Sequence, residues 1–313
     1  ATLDPASGAV SGATFEGSVV FEEPGRRAFA GRAVYEDGPG LVTLTGDPRI
    51  VDEAEGSELR GKRIRLGTVA RTVAATDSVR HTVTPKRAVA RPGLLGAGEP
   101  AVLVCREFEY DPRTRTAHYR GNALLRSGKD EVRAPTIVIE EGKDQTRRLT
   151  ASGGTTSTLH PRPQKGAAKP KDDAKPTEPA AVEARSRDMV YQEAAGRVVY
   201  TGDVEIRQGD IVTLSPEAVV TLTKDGGAVE KLVAGEPVEV RQGARRANGR
   251  HGTYTPADER LVLVGEPVVL QDVDRRLEGR VLTFEVGSDR IRVDGREEVR
   301  TEAVFRRKEP SKP

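Results

Sequence analysis

Tryptophan is absent from these 313 residues and aromatics make up only 4%, so the chain has no cluster of flat platforms on which bases or sugar rings could stack. Its 50 basic and 48 acidic side chains nearly cancel, which gives no field favouring nucleic acid. Only one cysteine is present, Cys105, which excludes an intrachain disulfide. It lies in the apolar run AVLVCREFEY with no histidine or helix start beside it, and so reads as a buried thiol, not a reactive one. The four histidines (81, 118, 160 and 251) fall at no metal-ligand spacing. Long apolar runs are missing too, and with them a membrane-spanning helix. No GxSxG, GxxxxGK or GxGxxG motif occurs. The adjacent carboxylates Glu22-Glu23, Glu140-Glu141 and Glu297-Glu298 would point to opposite faces of a strand and make no acid/base pair. These absences predict a protein that is not an enzyme and holds no cofactor or metal. Ala1 to Ser7 reads as a mature terminus with the signal peptide absent.

What is present is a repeat. A Tyr precedes a Gly by eleven residues at Tyr35/Gly46, Tyr110/Gly121, Tyr191/Gly202 and Tyr254/Gly265. Around each Gly, positions −4, −2, +2 and +4 are apolar or aromatic. They are Val42, Leu44, Pro48 and Ile50; Ala117, Tyr119, Ala123 and Leu125; Val198, Tyr200, Val204 and Ile206; Leu261, Leu263, Pro267 and Val269. A period of two with one apolar face is the pattern of a half-buried strand. A second strand follows each Gly, with apolar pairs at fixed offset: Leu59 and Ile64, Val132 and Ile137, Leu277 with Leu282 and Phe284. The third copy, anchored on Leu214, reads one residue longer, which predicts a bulge there. Asp37-Gly38, Asp225-Gly226-Gly227 and Asp294-Gly295 are hairpin signals. Gly, Pro, Val and Thr interrupt every window long enough for an amphipathic helix, so the chain is expected to be all-β and antiparallel.

Residues 160–187 carry repeated Pro and Lys and almost no large apolar side chain, the composition of a linker. The expected organisation is a β module over 1–159, the linker at 160–187, a second module over 188–305 and a tail at 306–313. Alternation implies that the even positions face inward, and the few aromatics imply a smooth aliphatic interior suited to acyl chains. A sandwich core filled by its own side chains is the competing reading.

The ordered series VVYTGDVEIRQGDIVTLSPEAVVTL, VAGEPVEV and RRANGRHGTYTPADERLVLVGEPVVLQDVDRRLEGRVLTF resembles the LptA/OstA-like family of periplasmic lipopolysaccharide-transport proteins over residues 188–293. Residues 13–159 are similar but more divergent. The resemblance implies a twisted, open antiparallel β-jelly roll in two tandem modules. It further implies a periplasmic bridge that carries lipopolysaccharide, with the lipid A acyl chains in an apolar groove, between inner and outer membranes. The groove candidates are Val42, Leu44, Ile50, Ala117, Tyr119, Leu125, Val198, Tyr200, Val204, Ile206, Leu261, Leu263, Val269, Leu282 and Phe284. Implied partners are LptC-like and LptD-like β-jelly-roll domains at the inner and outer membranes, with end-to-end self-association through edge strands. The alternative is a structural β-repeat module of the cell envelope without lipid cargo; its unequal repeat lengths count against it.

Overall fold

The computed structural model describes residues 2–3, 10–84, 100–143, 146–160, 181–223, 229–272, 275–285 and 290–294. Every regular element among them is a β-strand, and all the strand pairs formed within each unit are antiparallel. The chain divides into two compact units, 1–153 with 192–194, and 154–191 with 195–313.

In chain order the strands are β1 (Thr2–Leu3), β2 (Val10–Glu23), β3 (Arg26–Glu36), β4 (Leu41–Thr45), β5 (Arg49–Asp52), β6 (Ser57–Arg60), β7 (Arg63–Gly67), β8 (Val73–Val83), β9 (Ala101–Asp111), β10 (Thr116–Ser127), β11 (Asp130–Glu141) and β12 (Arg147–Leu159). They continue with β13 (Val182–Gln192), β14 (Arg197–Gln208), β15 (Ile211–Leu222), β16 (Val229–Ala234), β17 (Val238–Gln242), β18 (Arg245–Gly249), β19 (His251–Thr255), β20 (Arg260–Asp272), β21 (Arg275–Glu285) and β22 (Ile291–Asp294).

Nearly every strand is broken at its middle, and the breaks lie side by side. In the first unit β3 pairs with β4 through residues 32–36 and with β5 through 26–29. Beyond them β4 pairs with β7 and β5 with β6. Both β7 and β6 then pair with β8, one with each half. Thus β4 and β5 are one bent strand, as are β7 and β6. The register shifts at the same level between Thr76 and Val79, between Arg120 and Ala123, and between Glu16 and Val19. The second unit repeats the arrangement. There β15 pairs with β16 through one half and β17 through the other, and β20 pairs with both β19 and β18.

The repeated Gly is the kink. Gly46, Gly121 and Gly202 have φ of 75°, 83° and 80°, and the residues after them, Asp47, Asn122 and Asp203, are also left-handed. Two successive left-handed residues bend an extended strand, and Gly with Asp or Asn adopts that conformation at least cost. Space imposes Gly as well: a Cβ on Gly121 would lie 2.5 Å from the Arg106 Cβ, and one on Gly202 2.8 Å from the Arg187 Cβ. Each kink inserts extra residues opposite a neighbour that has fewer, as a β-bulge does.

Three sequence expectations change. The third copy is not longer: Thr213, not Leu214, is its buried anchor, and Ala218 follows at the same offset of five that separates Leu59 from Ile64. A buried hydroxyl stands where the apolar pattern sought an aliphatic group. The fourth copy does differ. Three residues, 265–267, face Arg280 between the pairs Val264↔Val281 and Val268↔Gly279, where the third copy has two. One extra residue reverses the faces beyond the kink. Val268 and Leu270 are therefore buried, while Pro267 is exposed and Val269 half-buried. Finally, β13 begins at Val182, inside the expected linker, because Val182, Ala184 and Ser186 alternate inward. The division between units falls at Gly153 and Gly154 within β12, where φ is 90° and 100°, and not in the Pro/Lys-rich stretch. Residues 161–180, the Asp225 hairpin signal, Gly295 and the 306–313 tail lie outside the described residues.

Candidate functional site: an interior between two walls

Kinked strands fold each unit into two facing half-sheets. In the first unit, register places Tyr119 beside Phe108 and Phe108 beside Ala75. A flat sheet would therefore put the Tyr119 ring level with Ala75, six residues from His81 and on the order of 20 Å away. Instead the Tyr119 hydroxyl lies 2.8 Å from His81 Nδ1. In the second unit Tyr254 is level with Leu232, Val220 and Val198 in turn, ten residues from Gln208 on β14. Yet Gln208 Nε2 donates to the Tyr254 hydroxyl at 2.7 Å. The half of each strand beyond the kink has turned back over the half before it, and the side chains between the two form the interior.

Twelve of the fifteen groove candidates are buried there: Leu44, Ile50, Tyr119, Leu125, Val198, Tyr200, Val204, Ile206, Leu261, Leu263, Leu282 and Phe284. Val42 and Ala117, towards the strand ends, are half-buried. Val269 leaves the inward row because of the extra residue at its kink, and Val268 and Leu270 take its place. The residues one position before the buried −2 row, Thr43, His118, Val199 and Val262, are half-buried on the other face. The outer faces carry cross-strand ion pairs such as Arg120 with Glu109 and Arg126 with Glu131, both at 2.7 Å. Being largely exposed, such pairs contribute solubility more than stability.

Polar residues in the interior were missed by a search for apolar periodicity. Thr155, Ser157, Ser186, Gln208, Thr213, Ser215 and Gln242 are all buried in the second unit. Their phase was the available signal: Gln208 continues Val204 and Ile206, and Gln242 continues Val238 and Val240. Thr155 and Ser186 hydroxyls meet at 2.6 Å, and Ser157 meets the Tyr200 hydroxyl at 2.8 Å. In the first unit the His81 ring packs against Phe108 and Tyr119, at centroid distances of 5.2 and 6.0 Å. Burial lowers the His81 pKa to about 4 and raises those of the Tyr119 and Tyr254 phenols, so all three groups are neutral at pH 7. Cys105 is buried and donates to the Glu107 carbonyl at 3.1 Å, with its thiol pushed up to about 11 by burial.

This geometry defines an antiparallel β module whose kinked strands enclose an aliphatic interior crossed by a few hydrogen-bonded polar side chains. A family model described as "LptA/(LptD N-terminal domain) LPS transport protein" matches residues 182–290, and the chain carries an LptA/OstA-like module there. Among solved structures, LptH, described as the LptA homologous periplasmic component of the conserved lipopolysaccharide transport device from Pseudomonas aeruginosa, is similar. The match covers 44% of this chain and 82% of that one, at 18% identity and a TM-score of 0.34. No curated protein matches.

Proposed function

We propose that this chain is a non-enzymatic periplasmic carrier of lipopolysaccharide, in which the acyl chains of lipid A lie between the two walls of each unit. The observation that carries this reading is the coincidence of the family match over 182–290 with an inward row of mainly aliphatic side chains over the same residues. A strand segment from −4 to +4 spans roughly 30 Å before bending, long enough to run alongside an acyl chain. In this reading LptC-like and LptD-like β domains meet its edge strands, bridging inner and outer membranes.

A photo-crosslinking residue placed in turn at Leu44, Tyr119, Tyr200 and Leu263 is expected to capture lipopolysaccharide, and one at Thr43, His118, Val199 or Val262 is not. Leu263→Asp is expected to abolish capture, since an uncompensated charge on an apolar face costs several kcal/mol.

One observation favours a second reading, a structural envelope module with no cargo. The interior is tightly filled, with Leu263, Val198 and Ile137 all at 0% exposure. Equal labelling from both faces of a folded protein, or none from either, would select that reading.

A further inference from the structure

Three tyrosines cross the interior, each from one wall to a polar side chain on the facing wall. Tyr119 on β10 meets His81 on β8, Tyr200 on β14 meets Ser157 on β12, and Tyr254 on β19 meets Gln208 on β14. At these points the two walls are held together by polar contact, in surroundings that are mainly aliphatic. An acyl chain lying lengthwise between the walls must part each pair. At the Tyr119–His81 and Tyr254–Gln208 pairs a plain hydrocarbon would leave polar groups inside an aliphatic interior without the partner they now have, which is the costly way to break a hydrogen bond. A hydroxyl both donates and accepts, so it can bridge the parted groups.

The Tyr254 pair shows where such a group would sit. Beside it is a cavity of about 20 Å³, bounded by Ile206, Gln208, Ile211, Thr213, Leu232 and Tyr254 among others. That is room for one oxygen-sized group. On β17, level with Ile211, Gln242 donates to Asp210 through Nε2 at 3.1 Å. Its Oε1 is buried and, among the described residues, has no hydrogen-bond partner. The void is thus bordered by a phenol and an amide, and an unsatisfied acceptor lies on the strand paired with Ile211, which is more than a packed aliphatic core requires.

We propose that the Tyr119–His81 and Tyr254–Gln208 pairs make the interior selective for acyl chains that carry a hydroxyl or amide, over plain hydrocarbon chains of the same length. The selectivity deepens the proposed function and rests on it. Polar sites reject a ligand lacking the complementary group far more strongly than apolar sites reject one that adds it.

The test is calorimetric titration of the full chain with 3-hydroxytetradecanoic acid and with tetradecanoic acid, both below their micelle concentrations. The hydroxylated acid is expected to bind about tenfold more tightly. In Tyr119→Phe/Tyr254→Phe, which keeps both rings, the two acids are expected to bind alike. Gln208→Met, close in volume and acting from the opposite wall, is expected to reduce the preference without touching a tyrosine. Equal affinities in the wild type overturn the selectivity and leave the carrier reading standing. An unchanged preference in all the variants overturns its assignment to these pairs. If neither acid binds the folded wild type, the carrier reading fails and this inference with it.

Discussion

His81 ordinarily titrates near 6.5, and in the folded protein burial holds its pKa at about 4. Between those values the unfolded chain takes up a proton that the folded one refuses. Stability from this group is therefore complete above about pH 6.5 and is lost as pH falls towards 4. Asp52, Glu109 and Glu131, whose pKa values are lowered, act below the ordinary carboxylate range and leave the upper part of that window to His81. Urea denaturation from pH 7 to 5 is expected to show a falling midpoint that His81→Gln flattens; parallel profiles would refute it. Nothing local in the sequence pairs His81 with Tyr119, because that contact exists only after β8 and β10 have bent. Cys105 was legible, since its strand-like surroundings already implied a buried thiol.

At the level of the strand, the kink is the organising feature. Gly202→Ala forces a Cβ into the left-handed region and against the Arg187 side chain, and is expected to cost about 1–2 kcal/mol from backbone conformation alone. Gly265 lies outside that region and approaches only backbone atoms at 3.2 Å, so Gly265→Ala is expected to cost less. Equilibrium unfolding of the two variants side by side checks the order, and an equal loss would mean that φ does not set it. The recurring Gly was visible in the sequence as the centre of each copy. Its role was not, because an alternating pattern reads the same along a straight strand and along a bent one until an odd residue reverses its faces, as at Val268.

On the molecular scale the first unit exposes an edge. Apart from residues 10–12, which meet β1, strand β2 pairs only with β3 among the described residues. Phe15, Val20 and Phe21 on it are 56%, 52% and 45% exposed. Free backbone groups beside exposed apolar side chains invite another strand. Light scattering is expected to show association that grows with protein concentration, and Val20→Lys/Phe21→Lys is expected to suppress it. A wild type that stays monomeric at the highest concentration, or a variant that associates equally, would argue against this edge. The partner strand in the envelope is part of the proposed function.

Sequence periodicity alone established the class of the protein, since the alternation of small aliphatic residues about a recurring Gly is compatible with little besides antiparallel strands. The ordered motifs of the second half were specific enough to point to the family. What lies across the interior was decided only in three dimensions. Register, kink and facing walls bring Tyr254 to Gln208 and Tyr119 to His81, side chains that are distant along any flat sheet. The physical reason is that face alternation is a local property of the backbone, written every two residues. Contact between walls depends on how many residues each kink inserts, and the chain sums those insertions only when all its strands are paired.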